Sequence, residues 1–305
     1  MNNRFRHIIL MLTAIPLMTA CSNDEGNIEA KQAIRLKGQI ATNVQGETRA
    51  ATNLYEVFDG GEQIDVSIYG GSSVVPANVI VAENLLYTIA NDGAMTPPTG
   101  QEPYFPVTAD GQVTIRASYP TSGNTATTSV TVLADQTTDD NYKAGEMFWA
   151  TETATRTTGT TAVALTFQHR MSKIIVNLTS RYGQPILPST VKLLDFLPTA
   201  TLTKATGAVA ASGTAIDITM SVGGAAMVPP QTIAADTPIF EIVTAQNEIA
   251  QYKSPTALEF KPGYVYTYDV QVDMRKIIVT TSITSWGTPD AGNIFQGDIV
   301  GEEWS

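Results

Sequence analysis

Hydrophobic residues recur at every second position along much of this chain, and that spacing limits its fold more than any other feature does. In AIRLKGQIA (33–41) Ile34, Leu36, Gly38 and Ile40 share one face. EQIDVSIYG (62–70) alternates Ile64, Val66 and Ile68, and QVTIRASY (112–119) alternates Val113, Ile115 and Ala117 before Pro120. The second half adds AVALTF (162–167), SKIIVNLT (172–179), STVKLLDF (189–196), AIDITMS (215–221), PIFEIVT (238–244), YVYTYDVQV (264–272) and KIIVTTSIT (276–284). Sustained helical spacing is absent: HRMSKI (169–174) can hold a turn at most, and 205–211 is small and glycine-punctuated. Short strands bounded by Gly, Pro and Asn predict an all-β chain of β-sandwiches with few or no helices.

With 43% hydrophobic residues in 305, the chain can bury sizeable cores. Its length suits about two domains at the usual 100–200 residues each. TETATRTTGTT (151–161) is polar, Thr-rich and without a core pattern, so it reads as the link. The expected organisation is an N-terminal β-sandwich domain over 33–155 and a C-terminal one over 156–305.

The N-terminus has the layout of an export signal. Arg4, Arg6 and His7 precede the apolar run Ile8–Met18, followed by the small residues Thr19 and Ala20 and then Cys21. That run is shorter than the roughly 20 residues a membrane-spanning helix needs, and Pro16 interrupts it. Met18-Thr19-Ala20-Cys21 resembles a bacterial lipobox, with the usual leucine displaced by one position to Leu17. On this resemblance residues 1–20 are a lipoprotein signal peptide and Cys21 is the lipidated residue, whose acyl chains anchor the protein to the outer membrane. Cys21 is the single cysteine, so no intrachain disulfide competes for it. Residues 21–32 then form an acidic tether. Its Ser22-Asn23-Asp24-Glu25 looks like the signal that sends lipoproteins of certain Gram-negative anaerobes to the cell surface.

Chemistry-bearing constellations are sparse. The formal net charge is -11 and only 15% of residues are charged, which argues against nucleic acid as a partner. His169 is the one histidine outside the signal segment, and beside a strand start it reads as a packed or hydrogen-bonded core residue. One cysteine and one histidine cannot build a zinc site. Asp135, Asp139 and Asp140 lack the spacing of a calcium loop and read as a solvated turn. SVGGAAM (221–227) lacks the Lys-Ser/Thr of a phosphate loop. Neither an enzyme nor a cofactor is expected.

GETRAATNLYEVFDGGEQIDVSIYG, YFPVTADGQVTIRASYP, GEMFWATETA, LTFQHRMSKIIVNL, AAMVPPQTI and FKPGYVYTYDVQV with ITSW, in that order over roughly residues 30–290, resemble the fimbrillin-like family of surface lipoproteins. The resemblance implies two β-sandwich domains of transthyretin-like topology and a role in the stalk, anchor or tip of a fimbria. It implies other fimbrial subunits as partners, joined by β-strand addition, with a host or bacterial surface ligand as a further partner. It also implies a removable first strand, here Ile34, Leu36 and Ile40 in AIRLKGQIA, freed by proteolysis after Arg49 in GETRAA. The tail GNIFQGDIVGEEWS (292–305) is the expected donor strand through Ile294, Phe295, Ile299 and Val300, although these residues do not alternate cleanly around Gly297 and Gly301. The competing expectation is a non-polymerising surface glycan-binding lipoprotein, whose platform would draw on Trp149, Trp286, Trp304, Tyr104 and Tyr119.

Overall fold

The computed structural model describes residues 31–41, 57–72, 75–106, 111–156, 161–180, 190–220, 225–243, 249–273, 276–286 and 296–303. In chain order the first strands are β1 (Leu36–Ile40), β2 (Gln63–Ser72), β3 (Val75–Ile89), β4 (Ala94–Thr96), β5 (Val113–Tyr119), β6 (Thr127–Thr131) and β7 (Asp135–Gln136). A five-residue helix α1 (Asp139–Lys143) follows, then β8 (Phe148–Ala154), β9 (Val163–His169), β10 (Ser172–Ser180), β11 (Thr190–Phe196), β12 (Thr199–Thr203), β13 (Ala208–Ser212) and β14 (Ile216–Met220). The remainder is β15 (Ala225–Val228), β16 (Gln231–Ile233), β17 (Pro238–Val243), β18 (Ile249–Lys253), β19 (Leu258–Phe260), β20 (Tyr264–Asp273), β21 (Lys276–Ser285) and β22 (Gln296–Glu303). Among the described residues the chain is all-β apart from α1, and each of the ten alternating segments contains a strand. Asp139 and Asp140 open α1 rather than a turn, and Thr138 caps it by accepting from the Asn141 amide.

Strand pairing in the first half differs from two separate sheets. Hydrogen bonding runs in a closed ring, β1-β4-β3-β2-β5-β8-β9 and back to β1. Inward-facing residues at every second position fill it: Ile64, Val66 and Ile68 from β2, Val113 and Ile115 from β5, and Leu165 and Phe167 from β9 are all fully buried. Phe58 caps this core with edge contacts to Phe148 and Phe167, centroids 5.9 and 5.3 Å away.

A second core takes residues from two five-stranded sheets, β15-β10-β20-β21-β22 and β18-β17-β11-β14-β7. Ile174, Val176, Tyr268 and Val270 come from the first of these, and Leu193, Ile218, Phe240 and Ile242 from the second. The three-stranded sheet β13-β12-β6 adds Ala200 and Leu202.

The expected boundary between 155 and 156 falls between two neighbours in one ring. β8 pairs with β9 at Phe148–His169 and Trp149–Gln168, so residues 151–154 are strand, not linker. The polar pattern misleads because Thr151, Glu152 and Thr153 are all exposed, while Phe148 and Ala150 face the core. Conversely β6 and β7, within the expected first domain, pair with β12 and β14.

Several phenols lie in these cores. Burial raises Tyr266 to about 12 and also pushes Tyr87 and Tyr268 well above the usual phenol value. A phenol whose folded pKa exceeds its unfolded value of about 10 holds its proton in the folded state after the unfolded chain has lost it. The stabilisation is therefore complete below pH 10 and falls as pH rises toward and past 12. We expect denaturant midpoints to decline steeply above pH 10, and tyrosinate absorbance from these residues to appear only with unfolding; early absorbance in the folded protein would contradict their burial.

Candidate assembly site

β1 closes the ring from outside the sequential order of its neighbours. Its parallel partner is β9, with Leu36 opposite Val163, Gly38 opposite Leu165 and Ile40 opposite Phe167. The Val163 amide donates to the Arg35 carbonyl and the Ala41 amide to the Phe167 carbonyl, both at 2.8 Å. On its other side β1 is held more briefly. Only Leu36 and Lys37 pair with β4, opposite Met95 and Ala94. Beyond them the Gly38 amide donates to the Gly93 carbonyl, the Ile34 amide to the Pro103 carbonyl and the Phe105 amide to the Gln32 carbonyl.

The inward face of β1 is fully committed. Ile34, Leu36 and Ile40 are 3%, 3% and 5% exposed, and each such burial contributes about 1.5–3 kcal/mol. Gly38 occupies the fourth inward position because nothing larger fits. A Cβ there would stand 2.8 Å from Ile89 Cδ1 and 2.9 Å from Phe167 Cε2. Gly93, at φ +83°, gives the turn before β4 the left-handed backbone it requires and brings its carbonyl to β1.

At the other end of the chain, β22 is the terminal strand of its sheet and pairs antiparallel with β21. The register sets Ile299 opposite Val279 and Val300 opposite Ile278, and the shift between Lys276 and Ile278 lies across from Gly301. Cys21, Arg49, Ile294, Phe295 and Trp304 lie outside the described residues, as do residues 1–20 and most of 21–32.

The other sequence candidates are scattered. His169 is buried, with Nδ1 3.1 Å from Glu146 Oε2 and its ring stacked on Trp286 at 3.6 Å. It packs where the two cores meet, touching Phe148 of one and Trp286 of the other. Trp149 lies under the Arg170 guanidinium and donates Nε1–H to the Lys204 carbonyl. Burial lowers the Arg170 pKa. Tyr119 packs on Phe148, while Tyr104 is exposed beneath Lys31. Of the described aromatics Trp286 is buried and Tyr104 exposed. Asp135 accepts from the Thr137 amide and hydroxyl, which lowers its pKa, and among the described residues no three His, Cys, Asp or Glu side chains are grouped to hold a metal. The alternation around β1 announced the strand, whereas its partners β4 and β9 and the Gly93 turn had no local signal linking them to it.

The described residues thus form a closed β-ring completed by its N-terminal strand, joined to a two-sheet core. The fimbrillin-like family model matches residues 48–286, well over half of the chain, and the chain belongs to that family. A candidate cell adhesion protein from Bacteroides ovatus ATCC 8483 has a similar fold, with TM-score 0.65 and 21% identity over 86% of this chain and 100% of its own. Another from Bacteroides uniformis ATCC 8492 gives 0.61 and 19% over 83% and 98%. The tip fimbrial protein Mfa3 from Porphyromonas gingivalis, with C-terminal truncation, gives 0.52 and 9% over 84% and 100%. No curated protein sequence matches significantly. Family membership places the protein at the cell surface as a fimbrial subunit or accessory protein, structural or adhesive rather than enzymatic.

The packing at Gly38 makes a direct test of how tightly β1 is held. Gly38→Val should destabilise the protein by about 1–3 kcal/mol, as overpacking of a filled core does, seen as a lower denaturant midpoint. Wild-type stability would mean that β1 has slack against Ile89 and Phe167.

Proposed function

We propose that this protein is a structural or adhesive fimbrial subunit, exported as an outer-membrane lipoprotein through Cys21 and assembled by β-strand addition after proteolysis at Arg49. The observation that carries this reading is the place of β1 in the ring: one short strand, nearest the N-terminus of the described chain, supplies the whole closure between β4 and β9. Removing it leaves an unpaired β9 edge beside an apolar trough once filled by Ile34, Leu36 and Ile40. Exposed backbone donors and acceptors next to apolar surface favour a strand from another chain. Arg49 follows β1 in sequence, and the family match begins at Thr48, leaving β1 outside it. The tail 292–305 is the donor, since β22 is paired along one edge only and its release disturbs one partner. Its partners are then other subunits of the same fibre, with a host or bacterial surface ligand where the subunit is adhesive.

Excision alone does not eject β1, because the segment still buries three large side chains. Trypsin treatment of the purified, unlipidated protein should give a new N-terminus at Ala50, with the excised piece retained until a competing strand displaces it. A peptide of residues 292–305 should hasten its release, and ladders should appear on unboiled SDS gels. Scattered nicks and a persistent monomer would defeat this reading.

A further inference from the structure

The outward face of the ring carries a second feature, which does not rest on the assembly reading. Where Ile64, Val66 and Ile68 of β2 face inward, Asp65, Ser67 and Tyr69 face the other way. They line a cleft of about 240 Å³ whose other walls are Arg116 of β5, Glu83 and Asn84 of β3, and the turn after β12 at Lys204.

This cleft is built rather than incidental. Asn84 has φ +50° at an irregularity in the β2–β3 register, a conformation uncommon for a residue with a side chain. There its amide donates to Ser67 Oγ at 3.0 Å and its Nδ2 to Asn124 Oδ1 at 2.8 Å. Lys204 reaches in from the second half of the chain and donates to Asp65 Oδ2 at 2.7 Å and to the Gly123 carbonyl at 2.8 Å. Gly207 (φ +71°) seats that turn against Trp149, where a Cβ would meet the indole at 2.6 Å. Asp65 is 3% exposed, and its Oδ1 has no hydrogen-bond partner.

The uncommitted groups indicate the ligand. Among the described residues, Arg116 makes no hydrogen bond or ion pair, and its guanidinium is held 4.9 Å from the Tyr69 ring centroid. Glu83 is exposed and likewise unpaired. Lys204 cancels Asp65, and Arg116 balances Glu83, so the cleft is formally neutral while offering both strong donors and strong acceptors. A phosphate or sulfate would meet two carboxylates, and an apolar ligand would strand the charges. The space is also below the roughly 300–1,000 Å³ of sites for drug-sized ligands.

We propose that this cleft binds one neutral sugar residue of a surface glycan, with Arg116 and Glu83 donating to and accepting from its hydroxyl groups.

The test is titration of the full mature chain with the neutral methyl glycosides of glucose, galactose, mannose, N-acetylglucosamine and fucose, followed by ligand-observed NMR. At least one should bind, and affinity should change little between low and high salt because the ligand carries no charge. Arg116→Ala and Glu83→Gln should each weaken binding about tenfold or more, the scale of a lost hydrogen bond to a charged group. Both lie on the cleft rim, and their thermal unfolding should match wild type. Failure of all five glycosides to bind overturns the proposal, as does binding unaffected by either substitution. Running the same preparations through the trypsin assay separates the two readings, since a chain that assembles without binding, or binds without assembling, condemns one and leaves the other.

Discussion

Closure of the ring by β1 is the constraint on which the first half of the molecule depends. β2, β3 and β4 are neighbours in chain order, as are β8 and β9, but β9 and β4 meet only through a segment that precedes both in sequence. The parallel register to β9 requires a long connection, because two parallel strands cannot be joined by a tight turn. The closing strand therefore arrives from the N-terminal side and is tied covalently only at its far end to the remaining ring. A barrel abolishes sheet edges, and here a single five-residue strand completes that abolition.

Under the proposed strand addition, stability and release would pull on β1 in opposite directions. Its inward face carries three fully packed aliphatic side chains and a glycine with no room for a methyl group, so spontaneous opening is costly. Its strand register is lopsided, with five partners on β9 and two on β4, the β4 side being supplemented by single backbone bonds at Gly93, Pro103 and Phe105. In the proposed assembly a competing strand would begin at the side with the shorter register and replace contacts stepwise, without the whole apolar trough meeting water at once. The same packing that prevents release in isolation favours replacement by a segment of equal apolar content.

The strands were legible in the sequence wherever one face was buried and the other wet, because alternation then records the pleat directly. β1, β2, β5 and β20 are of this kind. The reading failed where that contrast was missing or broken. β8 carries Thr151, Glu152 and Thr153 in succession and looked like a linker, although it lies between β5 and β9. β3 has its alternation broken near Asn84, where the register shifts. β15 is buried at all four positions and so has no alternation to detect. Pairing between β6 and β12, or β7 and β14, links segments with no shared local pattern, so the boundary drawn at 155 could not have anticipated it. The cleft was hidden for a related reason: Asp65 and Lys204 are far apart in the chain, and only the docking of the turn after β12 onto the ring unites them.

Strand order also decides whether exchange and ligand binding can coexist. Going round the ring from β1, β2 is reached after β4 and β3, and β5 after β9 and β8, so the pair that floors the cleft is three steps away in each direction. A strand entering between β4 and β9 touches neither. What the two sites share is the ring's inner core, where Ile64, Val66 and Ile68 lie on the inward side of the strand whose outward side bears Asp65, Ser67 and Tyr69. Loosening the core by withdrawing β1 would relax β2 and disturb the cleft, and refilling the trough would restore it. In the proposed fibre an incoming strand would thus hold the outward face of β2 in the geometry that the proposed ligand recognition requires.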